Sequence, residues 1–224
     1  MKTYTWILAF LVSTIAIAQN PIEKNVGDFT IVKVYDRVVV NLIKSDAPKV
    51  IITGRDADQV VVENKDGMLK VKMDFDRIFD GNNTFVQVYY TDLNIIDGNE
   101  GARIIANELI SQERIEIRTQ EGAHVKAGLE VDKAELRAVT GGIIEVTGTV
   151  NDQEITVNTG GIFEGKRLHS QNSTVLLQAG GEVEVYATER VDVKVRAGGD
   201  VEIYGNPKSI KKNKIFGGRI QVMK

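Results

Sequence analysis

The chain has 224 residues, no cysteine, and a formal net charge of −3 from 28 basic and 31 acidic side chains. Lack of cysteine excludes a disulfide framework and any thiol nucleophile or thiolate metal site. The slight acidity gives no reason to expect nucleic acid as a partner.

Met1–Ala18 carries one early charge, Lys2, then an apolar run, Trp6–Ile17, interrupted only by Ser13 and Thr14. It ends in Ala16-Ile17-Ala18, a small-x-small pattern before Gln19. These are the three regions of a secretory signal peptide. The alternative, a retained anchor, needs about 20 apolar residues to span a membrane, more than this run offers. The expectation is an exported mature chain, 19–224, with no membrane span, in the periplasm, on the outer-membrane surface or outside the cell. Cleavage removes one lysine and no acidic residue, so the formal charge moves from −3 to −4.

Residues 22–95 read as strands. Phe29–Val34, Val38–Ile43, Val50–Thr53, Val60–Val62, Met68–Met73 and Phe85–Tyr90 alternate or run apolar, with turn-forming residues between them. Asp66-Gly67 between apolar runs signals a hairpin. The segment is either an antiparallel cap or a set of irregular coils; the residues leave both open. Glu130–Val139 has the composition of a short helix but keeps the register of the repeats described next, and is read as turn and strand.

From residue 96 to 224 the chain repeats. Seven small pairs recur: Gly101-Ala102, Gly122-Ala123, Gly141-Gly142, Gly160-Gly161, Gly180-Gly181, Gly198-Gly199 and Gly217-Gly218, spaced by 21, 19, 19, 20, 18 and 19 residues. A period near 20 fits one coil of a β-solenoid. Two residues past each pair every copy is apolar, as at Ile104, Ile144 and Val201. Six residues before the second member, six copies are apolar, as at Ile117 and Val193, and only Lys212 breaks the column. Strand side chains alternate with period 2, so these columns and the second member of each pair share the inward face. A glycine repeated in a strand marks a bend or a close approach of backbones. Each pair should therefore turn a corner too narrow for a branched side chain. The architecture expected is an all-β parallel β-helix of about 20 residues per coil, one domain over 19–224 with an N-terminal strand-rich segment.

The run from Phe29 to the C-terminus resembles the head-GIN-domain putative auto-transporter adhesin family of exported bacterial proteins. The resemblance rests on F-x-x-I/V-x-V and a second apolar strand (Phe29–Val34, Val38–Leu42), and on D-G-x-L-x-V (Asp66–Val71). The recurring small pairs and a terminal V-x-I-Y-G-x-P (Val201–Pro207) complete it. It implies a right-handed β-helix and supplies no catalytic motif. Family members often have Ser-Gly-Ala or Ser-Gly-Ser where this chain has Gly-Gly or Gly-Ala.

Catalytic constellations are sparse, and no cofactor is expected. His124 and His169 are 45 residues apart, more than two coils, and read as solvated. There is no phosphate loop and no calcium nonapeptide. Three outward features stand out. Glu145, Glu164, Glu184 and Glu202 lie three residues past successive pairs, so four carboxylates should stack one above another. Either Lys126, Lys166 and Arg196 absorb their repulsion, or the column holds divalent cations or a cationic partner. Tyr186 and Tyr204, five residues past their pairs, either stiffen the ladder or stack beneath a sugar. Lys208, Lys211, Lys212 and Lys214 form a basic run, read as a solvated loop or as a docking point for acidic glycans or lipid headgroups. The function expected is a non-catalytic, adhesin-like binding or structural module of the cell envelope, with a glycan or protein of that envelope as its partner. The alternative is a glycan-active β-helix enzyme, though such enzymes usually need longer loops than these turns.

Overall fold

The structure, a computed structural model, describes residues 21–223; the signal-peptide expectation over 1–18 lies outside the described residues. Eight short strands come first: β1 (Ile22–Asn25), β2 (Ile31–Val34), β3 (Val39–Lys44), β4 (Lys49–Gly54), β5 (Val60–Lys65), β6 (Met68–Met73), β7 (Thr84–Tyr90) and β8 (Ile95–Gly98). Five long strands follow, each bending through most of a coil: β9 (Arg103–Thr119), β10 (His124–Val139), β11 (Ile143–Asn158), β12 (Ile162–Leu177) and β13 (Glu182–Ala197). The next coil is split into β14 (Asp200–Tyr204) and β15 (Ser209–Phe216), both paired with β13, and β16 (Arg219–Val222) begins a further coil stacked on β14. No α-helix occurs among the described residues. The chain is a β-solenoid of about 7 turns with about 19 residues per turn.

From β9 onward every neighbouring pair is parallel and one coil apart, as in Val125↔Ile144 and Leu136↔Ile155. The corner at Thr140-Gly141 shows why the pairs recur. Thr140 and Gly141 both take positive φ, 49° and 71°, and the Gly142 N–H donates to the Val139 carbonyl at 2.9 Å. That is the primed turn that tight connections between twisted strands favour. The first glycine faces open space, but a Cβ on Gly142 would meet the Thr119 carbonyl carbon and oxygen at 2.6 Å. Above each corner the next coil is fastened by one amide, as in Ile143 N–H to Ala123 O at 2.8 Å and Ile162 N–H to Gly142 O at 2.9 Å.

The apolar columns line the interior. Ile104, Val125, Ile144, Phe163, Val183 and Val201 are buried, as are Ile96, Ile117, Leu136, Ile155, Val175 and Val193. Each such side chain stabilises by roughly 1.5–3 kcal/mol before entropy is counted.

Residues 22–95 contain both forms that the sequence left open. β2 and β3 form a parallel coil that stacks directly on β8 and the start of β9. β6 and β7 form another, stacked on the far side of β2 and β3. The end of the stack is then closed by antiparallel strands: β4 on β7, β1 on β4 and β5 on β6. The β5–β6 hairpin turns at Asp66-Gly67, with φ of 53° and 76°.

Candidate functional site

The candidate residues lie on the face of the solenoid that follows the corners. In register, Glu145 faces Glu164, Glu164 faces Glu184, and Glu184 faces Glu202, with Lys126 before the column and Gln221 after it. Parallel strands place such neighbours about 4.8 Å apart, and bare unit charges at that separation repel by about 0.9 kcal/mol even in water.

The structure handles the column differently at its two ends. Glu145 is held between two cations, Lys126 Nζ and Arg167 Nη2, each 2.9 Å from its Oε1, and the His124 ring lies beside it, Nε2 3.8 Å from Oε2. Glu202 instead accepts a hydrogen bond from the Tyr204 hydroxyl at 2.7 Å, which pushes the phenol pKa up to about 12. Lys166 does not reach the glutamates. Its ammonium sits over the Tyr204 ring, 4.5 Å from the centroid, a cation–π contact. Among the described residues no group of three or more His, Asp or Glu side chains is placed to hold a metal ion.

Tyr186 and Tyr204 face each other in register, but their rings are engaged differently. Tyr186 stacks on His169, centroids 4.2 Å apart and planes 22° from parallel. This contact arises because β12 carries extra residues between Gly165 and His169, which brings His169 opposite Tyr186. Gly205 closes against the same tyrosine: a Cβ there would meet Tyr186 Cε1 at 2.8 Å and the Ala187 carbonyl oxygen at 2.4 Å.

Around these rings lies an open groove of about 810 Å³ lined by Lys166, Tyr186, Tyr204, Asn206, Val222 and Met223. Its walls are mainly aromatic and aliphatic, with one cation and one amide to orient a ligand, the usual make-up of a small-molecule site. In the sequence Lys166 reads only as a counter-charge to the glutamates and Met223 is not singled out, yet both sit five residues past their glycine pairs, as Tyr186 and Tyr204 do. Following that column to its ends finds them. Beside the groove, Glu182, Glu184, Asp200 and Glu202 line a smaller cleft of about 190 Å³, where Arg219 pairs with Asp200 at 2.9 Å.

Several solved structures have a similar fold. A putative adhesin from Bacteroides fragilis superposes with a TM-score of 0.84 at 18% identity, covering 91% of this chain and 96% of that one. A putative lipid binding protein from Parabacteroides distasonis gives 0.68 at 20% identity, covering 92% and 96%. A putative adhesin from Parabacteroides merdae gives 0.67 at 15% identity, with the same coverage. These likenesses show the fold. Among curated proteins, none matches the chain. A family model matches residues 28–207, the coils from β2 through β14. The chain belongs to the family described as putative auto-transporter adhesin, head GIN domain.

Proposed function

We propose that this chain is an exported, non-catalytic binding module of the bacterial cell envelope, adhesin-like, that holds its ligand on the face bearing Tyr186, Tyr204 and the glutamate column. The single observation that carries this reading is the groove at the C-terminal coils: about 810 Å³, open, and walled by tyrosines. Tyrosine presents broad apolar area at low entropic cost and a polar tip for hydrogen bonds. Export is supported by the leader-like N-terminus and by membership of an adhesin family.

Short corners support binding over turnover. Two-residue turns such as Thr140-Gly141 raise no walls that would exclude water from a reacting bond. A glycan-active enzyme remains the second reading, favoured by one feature: the cleft in which Glu182, Glu184, Asp200 and Glu202 converge. Glycoside cleavage uses two such carboxylates, one as acid and one as base or nucleophile. A glycan array run beside a depolymerisation screen separates the readings. Retention without new reducing ends is the result expected; release of fragments that Glu184→Gln abolishes would establish the enzyme.

A further inference from the structure

A second polar depression, of about 470 Å³, lies on the face that precedes the corners. Its backbone is one outward column in which Lys33 faces Asp97, Asp97 faces Arg118, and Arg118 faces Arg137. The floor is fixed. Asp97, its side chain only 9% exposed, takes the Lys33 ammonium at 3.2 Å and the Asn99 amide at 3.1 Å, and Gln120 donates to Asn99 Oδ1 at 2.6 Å. A nearly buried carboxylate with these partners is satisfied and held in place.

The two arginines are not settled in the same way. Arg118 donates through Nε to Glu116 at 2.6 Å. Arg137 has Arg118 on one side in the ladder and Thr156 on the other. The carboxylate two residues before it, Glu135, is held by Arg114 and Lys133. Among the described residues, no carboxylate forms an ion pair with Arg137. Like charges directly opposite on paired strands are unfavourable, and Arg137 lacks the carboxylate partner that Arg118 has in Glu116. Guanidinium forks match planar oxyanions and bind them bidentately.

We propose that this depression binds an oxyanion carried on a sugar, a carboxylate or a phosphate, with Arg118 and Arg137 as its ligands. The Gln120 amide and the Tyr35 phenol, both in the lining, supply hydrogen bonds to neighbouring hydroxyls. The inference rests on the binding-module reading but uses a face that reading does not.

The test is titration calorimetry of the mature chain at low salt with glucuronic acid, glucose 6-phosphate, glucose and inorganic phosphate. The acidic sugars bind, glucose does not, and binding weakens as salt screens the charges. The preferred acidic sugar tells the two anion sources apart. Arg137→Gln, at an exposed position, lowers affinity by about tenfold or more, the loss expected for a charge-assisted contact. Lys194→Gln, further along the same column, leaves it unchanged. Failure of both acidic sugars to bind, or equal binding by Arg137→Gln, overturns the proposal. So does inorganic phosphate binding as tightly as the phosphate ester, which would show a bare anion site. Glycan retention through the tyrosine groove, if it persists in any of these cases, shows that only this inference has failed.

Discussion

Gly165 leaves empty the space that the ring of Phe163 occupies: a Cβ on Gly165 would lie 2.2 Å from Phe163 Cε1 and 2.9 Å from the Glu184 carbonyl oxygen. Phe163 is the largest fully buried side chain, in a column otherwise of Ile and Val. One coil thus exchanges its two inward residues, large for small and small for large.

That exchange predicts a coupled pair. Gly165→Ala alone overpacks the coil and costs about 1–3 kcal/mol. Phe163→Leu alone leaves a void and costs a similar amount. The double variant recovers part of the loss, because the smaller side chain admits the new methyl group. Urea unfolding of the four proteins measures the coupling, and strict additivity would show that the two positions do not share one space.

The corners predict an asymmetry. A Cβ on Gly161 would lie 2.3 Å from the Ala138 carbonyl oxygen, so Gly161→Leu destabilises by at least about 1–3 kcal/mol. Glu182→Leu, at an exposed position beside the next corner, stays within about 0.5 kcal/mol. Equal denaturation midpoints would contradict the inward placement of Gly161.

These elements were legible because period and parity are local properties of a sequence. Seven small pairs give the coil length, and apolar residues at fixed offsets give the inward face. The stacking order of the first coils was not legible. β2–β3 lies between β6–β7 and β8–β9, an order that depends on which edges meet after the chain has left and returned. The stack of His169 on Tyr186 was hidden for a related reason, since it depends on extra residues inside β12 that shift its register. The glutamate column was legible, but not the difference between Glu145, held between two cations, and Glu202, bonded to a phenol.

The Tyr204–Glu202 bond has a pH signature. Its folded pKa, about 12, lies above the ordinary phenol value of 10.0, so the folded state holds the proton longer than the unfolded chain does. The stabilisation is present in full below pH of about 10 and is lost as pH rises toward about 12. Carbon NMR of labelled tyrosine should show Tyr204 titrating late in the parent and closer to its ordinary value in Glu202→Gln. An unaltered titration would remove the hydrogen bond from the account.

The coil of β14 and β15 guards its open edge against pairing. Its inward column carries Lys212 opposite Val193 and Lys214 opposite Val195, and the Lys214 ammonium reaches the Gly218 carbonyl at 3.2 Å. Both lysines are exposed, with their charges in water, and lysine on an edge strand discourages pairing with another chain. Lys212→Val with Lys214→Val should therefore sediment as larger species than the parent. The outward change Lys211→Gln should not, and an unshifted double variant would contradict this role.

The most direct test of the central claim is binding and cleavage measured together on one glycan array, with the parent and the Tyr186→Ala, Tyr204→Ala double variant. The account predicts that the parent retains at least one glycan, releases no new reducing ends from it, and loses that retention by about tenfold or more in the variant. Such a loss corresponds to about 1.4 kcal/mol or more, within reach of two truncated aromatics. Fragment release by the parent, or retention that survives the loss of both tyrosines, would contradict a binding module built on this groove.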